Sequence, residues 1–103
     1  MSGNITRTGS PDGWTVSSGV YYWVLDHLAD AVTDKEVAEQ LRAASTHGFR
    51  TFDLGHLTPA QRWEVLDLIQ GLVPAAAARF LGPDGETVRE FVGELKEVAK
   101  SWA

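Results

Sequence analysis

The chain has 103 residues, of which 44% are hydrophobic, and this length accommodates one domain with one hydrophobic core. Its 14 acidic and 9 basic side chains give a formal net charge of −5, which disfavours phosphate backbones and anionic lipids, so we predict no binding to nucleic acid or membranes. The sequence contains no cysteine, which excludes disulfides and thiolate chemistry and favours a cytoplasmic location.

The N-terminal segment is polar, rich in Ser, Thr and Gly, and ends in the turn sequence Ser10-Pro11-Asp12-Gly13. It lacks the apolar stretch of a signal peptide. We therefore expect residues 1–13 to be a flexible tail and residues 14–103 to form a helical domain. A short extended segment, Trp14 to Val16, opens that domain.

Two helices are predicted to follow in close succession. Apolar residues at spacings of three and four predict a first helix from about Ser18 to Val32, with Ser17 or Ser18 as its N-cap. The sequence Thr33-Asp34-Lys35-Glu36 fits a capping box that opens the second helix, and Gly48 suits the position just after its end. The short link between the helices indicates a sharp turn.

The second half of the chain begins with a loosely alternating segment, Phe49 to Leu57, which predicts a short strand or an extended connector. Thr58-Pro59-Ala60-Gln61 then predicts the start of a third helix, with Thr as N-cap, Pro at the first position and Gln at the third. The buried face of this helix is predicted to contain Val65, Leu66, Ile69, Leu72 and Val73.

A break is expected near Pro74, because proline lacks an amide hydrogen and clashes with the preceding turn of a helix. A short fourth helix should therefore end at Leu81, before the turn Gly82-Pro83-Asp84-Gly85. The fifth helix, from Glu86 to about Ser101, has the clearest apolar stripe in the chain. That stripe contains Val88, Phe91, Val92, Leu95, Val98, Ala99 and Trp102.

These elements predict an all-α fold, a compact single domain of four to five helices. The pattern also admits a minor short β element, in which Trp14–Val16 would pair with residues 49–52.

Three consecutive aromatic residues, Tyr21-Tyr22-Trp23, mark the first helix as a candidate interaction surface. Successive helical residues point about 100° apart, so the three rings cannot all face one core. Trp23 shares a stripe with carboxylates and a histidine at helical spacing, and a tryptophan on the third helix has a similar acidic neighbour. The predicted partner-binding residues are Tyr22, Trp23, Asp26, His27, Asp30, Trp63 and Asp67.

The histidines lack metal-ligand spacing, and no nucleophile or oxyanion donor accompanies His27. We therefore predict no catalytic residue, no metal and no cofactor. The favoured hypothesis is a small acidic interaction protein of the inhibitor, immunity or adaptor type, with a basic protein as partner. The alternatives are a small-molecule-binding protein or small enzyme that uses a Trp/His/Asp cleft, and a structural subunit of a homo-oligomer.

Overall fold

The computed structural model describes residues 1–102, which form a small three-stranded sheet and five helices. Helices account for most of this single domain, as predicted. Among the described residues, no helix is long and apolar enough to cross a membrane. The elements are β1 (Ser2–Thr6), β2 (Trp14–Ser17), α1 (Ser18–Ala31), α2 (Lys35–Thr46), β3 (Thr51–Asp53), α3 (Pro59–Gln70), α4 (Leu72–Ala78) and α5 (Gly85–Ala99), with short 3₁₀ turns at Leu54–His56 and Lys100–Trp102.

The N-terminal segment forms the central strand of the sheet. The strand order is β2-β1-β3, and β1 is antiparallel to β2 and parallel to β3. Ile5 is only 1% exposed, so this strand belongs to the core. The expectation of a flexible tail over residues 1–13 is therefore wrong. The minor β element that the sequence admits is present, but it has three strands, so the domain is mostly helical rather than all-α. The expected pairing is wrong, because β2 and β3 do not pair with each other and instead flank β1.

Tyr21 determines how closely α1 packs against β1. Its side chain is fully buried, and a Cβ atom added to Gly3 would lie 2.3 Å from Cγ of the Tyr21 ring. The Tyr21 hydroxyl donates a hydrogen bond of 2.9 Å to the carbonyl of Phe49, just before β3. Only glycine therefore fits at position 3, and this one ring connects α1 to the central and edge strands.

The start of α2 differs from the predicted capping box. The N-cap is Asp34, whose carboxylate accepts a 3.1 Å hydrogen bond from the Val37 amide. Thr33 instead contacts α3, where Glu64 accepts its hydroxyl at 2.6 Å and its amide at 3.0 Å. A carboxylate from α3 thus replaces the local Glu36 partner that the sequence suggested.

The other helix boundaries agree more closely with the sequence. At the start of α3, Thr58 and Gln61 form the predicted capping box, with both reciprocal hydrogen bonds present. Gly48 follows the end of α2 with a φ of 70°, in the left-handed region that glycine favours. The break before Pro74 is also confirmed, since α3 ends at Gln70 and α4 begins at Leu72. Leu72 itself is 40% exposed, contrary to the prediction that it is buried.

Two tryptophans are buried in the core, and their indole nitrogens donate hydrogen bonds to backbone carbonyls that are distant in sequence. The Trp14 indole donates to the Phe91 carbonyl at 2.9 Å, which joins β2 to α5. The Trp102 indole donates to the Asp12 carbonyl at 3.0 Å, which joins the end of the described chain to the loop between β1 and β2. Both rings are almost completely buried, so their polar nitrogens are satisfied inside the protein.

Candidate functional site

An open groove of about 410 Å³ lies between the first half of α1 and the turn that connects α4 to α5. We call it the Trp23 groove. Its apolar lining residues are Val20 and Trp23 from α1, Phe80 from the turn and Val88 from α5. Its remaining lining residues are Ser17, Gly19, Asp84 and Thr87.

Trp23 is partly buried and packs edge-on against Phe80, with 6.0 Å between the ring centroids. The Trp23 ring also contacts His27, at a centroid distance of 4.1 Å. The Nδ1 atom of His27 is 2.9 Å from the Trp23 carbonyl and, because a carbonyl only accepts, Nδ1 is the donor in this contact. His27 is not among the lining residues of the groove, so this contact lies outside the lining.

The two predicted aspartates of α1 are exposed on the same side of the helix as Trp23. The Asp30 carboxylate lies 3.2 Å from the Arg42 guanidinium of α2. Tyr22 is oriented differently, because its ring packs against Tyr21 at 5.0 Å and its hydroxyl lies near Gly48. Tyr22 therefore borders α2 rather than the Trp23 groove.

Trp63 and Asp67 form a different surface on α3. Both are exposed, and Trp63 retains 67% of its accessible area. Helical spacing directs them away from Val65 and Ile69, which face the core. The predicted site residues are therefore divided among the Trp23 side of α1, the α2 side of α1 and the outer face of α3.

Sequence reasoning missed the half of the Trp23 groove that the α4–α5 turn contributes. Phe80 is partly buried in the groove, while the adjacent Leu81 is 93% exposed. The available signal was the pair Phe80-Leu81 directly before a glycine- and proline-rich turn, where both side chains could not enter the core. Asp84, interpreted only as a turn residue, adds a carboxylate to the same groove.

The carboxylate of Asp53 holds two segments of the backbone together. It accepts hydrogen bonds at 2.8 Å from the amides of Thr8 and Gly55, and a further bond from the Thr8 hydroxyl. Its partial burial acts to raise the pKa, but these hydrogen bonds and the nearby His56 outweigh burial and hold the pKa of Asp53 below its usual value. Asp53 thus connects the loop after β1 to the end of β3.

The chemistry available at the Trp23 groove is apolar area, hydroxyl groups and a carboxylate, which are the components of a binding surface. Within residues 1–102, no group of three or more His, Asp or Glu side chains is placed to hold a metal ion. No protein-family model, curated protein or solved structure matches the chain. The interpretation of the groove therefore depends on its own residues.

Proposed function

We propose that this chain is a small acidic interaction module, of the inhibitor, immunity or adaptor type, that binds a segment of a partner protein in the Trp23 groove. The observation that carries this proposal is the partly exposed Trp23–Phe80 pair in an open groove. Tryptophan is enriched at the energetic centres of protein interfaces, where it supplies a large area that loses water on binding. Leu81, exposed beside Phe80, extends this apolar surface.

The charge of the surroundings favours a partner segment with Lys or Arg beside its apolar residues. Asp84 lines the groove, Asp26 is exposed one turn beyond Trp23, and Glu86 lies in the first turn of α5. Arg89, whose guanidinium donates to the Phe80 carbonyl at 3.3 Å, offsets one of these three carboxylates. With the net charge of −5, these carboxylates would accelerate association with a basic surface. A cytoplasmic location belongs to the same proposal, supported by the absence of cysteine.

A small-molecule ligand is the second candidate, because the groove volume of about 410 Å³ falls within the range of ligand sites. The groove is open to solvent, and the polar side chains that line it are short. Both features favour a segment of a protein over a small molecule. An enzymatic role has less support, since His27 lies outside the lining. A homo-oligomer would use the same apolar surface and is distinguished by the mass of the purified protein.

The experiment uses two helical glycines that both have open space around them, Gly19 in the groove and Gly93 on the outer face of α5. A photo-crosslinking amino acid placed at position 19 should capture a partner in cells of the source organism, and the same group at position 93 should not. The affinity of the captured protein is then measured by calorimetry for the parent chain and for three variants: Gly19→Leu, Gly93→Leu and Trp23→Ala.

Gly19→Leu should fill the groove and weaken binding by at least about tenfold, whereas Gly93→Leu should leave the affinity unchanged. Trp23→Ala should cost about 2 kcal/mol of binding free energy, or roughly thirtyfold in affinity. Melting temperatures of the variants establish that each is folded. Unchanged affinity in both Gly19→Leu and Trp23→Ala would place the partner elsewhere, and the exposed Trp63 surface would be tested next.

A further inference from the structure

A second groove, of about 270 Å³, lies between α2 and β3. We call it the β3 groove. Gln40, Ala43 and Ala44 of α2 line one side, and Phe49, Thr51, Phe52, Asp53 and His56 line the other. Phe49 is 56% exposed, so a large apolar surface is available to solvent at one end.

The backbone of β3 has an open edge beside this groove. On its inner side β3 pairs with β1, where the Asn4 amide donates to the Arg50 carbonyl at 2.7 Å and Asn4 is in register with Thr51. In a parallel ladder, successive residues of a strand direct their amide and carbonyl groups to alternate sides. The amide and carbonyl of Thr51 therefore point away from β1, toward the outer edge of the sheet.

The charges at the two ends of the groove differ. Two residues flank the Phe49 end outside the lining: the exposed Arg50 donates to the weakly accepting sulfur of Met1 at 3.2 Å, and the His47 ring lies 5.9 Å from the Phe49 ring. At the other end, the lining residues Asp53 and His56 lie 3.4 Å apart, and Gln40 bonds to the exposed carboxylate of Glu36 at 3.4 Å. An acidic group is therefore favoured at the Phe49 end and disfavoured at the Gln40 end.

We propose that the β3 groove binds an extended acidic–apolar peptide segment of another protein by strand addition to β3. The segment would bond to the backbone of Thr51, place an apolar side chain against Ala43 and Phe52, and direct a carboxylate toward Arg50 and His47. An open strand edge beside a helix admits one extended chain. A second copy is disfavoured, because it would bring its own α2 to the same edge. This site is independent of the Trp23 groove.

The test is selection of a phage-displayed library of random dodecapeptides on the full chain, followed by titration of the enriched peptides monitored by NMR. We expect the enriched sequences to alternate polar and apolar residues and to carry Asp or Glu. The Thr51 amide proton should shift downfield and become protected from exchange when such a peptide binds.

Thr51→Pro removes the outward amide and should lower peptide affinity by at least about tenfold, whereas Thr51→Val keeps that amide and should remain within about twofold. Arg50→Gln should weaken the acidic peptides several-fold without affecting versions in which the acid is replaced by its amide. Should Thr51→Pro fail to fold by circular dichroism, Ala43→Trp fills the groove from the α2 side and takes its place.

The inference is overturned if no peptide is enriched, or if the enriched peptides lose affinity with Gly19→Leu and not with Thr51→Pro. It is also overturned if light scattering finds a dimer that Thr51→Pro dissociates, because the edge would then be occupied by a second copy.

Discussion

Gly3 and Tyr21 show how a single missing side chain can fix the packing of a strand against a helix. Gly3→Ala places a methyl group within 2.3 Å of the buried Tyr21 ring, so we expect a loss of about 1–3 kcal/mol in the free energy of unfolding. Gly93→Ala, on an exposed helical face with nothing within 4 Å, should instead gain about 0.4–1 kcal/mol. Urea denaturation measures both. Equal changes in the two variants would contradict the close contact between β1 and α1.

The three consecutive aromatic rings of α1 illustrate what residue-level reasoning can predict. The 100° rotation between neighbours required that the rings separate, and they do: Tyr21 is buried, while Tyr22 and Trp23 are each partly exposed. Their individual environments depend on distant segments, since Gly48 approaches Tyr22 and Phe80 covers Trp23. Helical periodicity contains no information about those neighbours.

At the level of elements, local caps were predictable and nonlocal caps were not. The Thr58 box involves only residues three positions apart, so its sequence pattern is sufficient. The Thr33 pattern looked equally favourable, but Glu64 contacts Thr33 from 31 residues away. Asp34 then caps α2 alone.

The hydrogen bonds to the Glu64 carboxylate predict how the stability of the fold changes at acidic pH. Hydrogen bonds from the Thr33 hydroxyl and from the amides of Asp34 and Thr33 lower the pKa of Glu64 from its ordinary value of 4.5. A carboxylate whose pKa is lower in the folded state stabilises the fold above the unfolded pKa, and this contribution is lost as the pH falls through the folded pKa. The junction between α2 and α3 should therefore weaken below a pH of 4.5.

Urea unfolding between about pH 7 and about pH 3 tests this dependence. Glu64→Gln keeps the shape of the side chain but cannot ionise, so its stability should change less with pH than that of the parent chain. Glu94→Gln, an exposed change on α5, serves as the control and should follow the parent curve. If Glu64→Gln also followed the parent curve, the contacts with Thr33 would contribute little to stability.

At the level of the whole molecule, the helices were largely predictable and the sheet was not. The apolar periodicity of α1 and α5 reflects a long face that each helix buries against the rest of the protein. A three-stranded sheet with one covered face needs far fewer apolar residues, and β1 places only Gly3 and Ile5 in the interior. Its pairing with both neighbours is nonlocal, which a polar, serine-rich segment does not reveal.

For the same reason, only the α1 side of the Trp23 groove could be predicted from the sequence. Its α1 side follows from a local pattern, whereas Phe80 and Asp84 reach it only because the turn between α4 and α5 lies beside α1. The β3 groove depends wholly on the placement of β1, since that strand determines which edge of β3 is free. Both candidate sites therefore depend on the N-terminal strand or on the turn between α4 and α5.

Because β1 lies at the centre of the sheet, we expect the N-terminal segment to be essential to the fold. Deleting residues 2–6 would remove the only strand that pairs with both β2 and β3 in the described sheet. It would also uncover Tyr21, which packs directly on Gly3. We expect this variant to lose its cooperative thermal transition by circular dichroism. Ile5→Ala gives a graded measurement and should cost about 2–5 kcal/mol, because Ile5 is fully enclosed, whereas Ser2→Ala on the exposed face should change little. A deletion variant that melted like the full chain would mean that the helices fold without the sheet and that the core does not require β1.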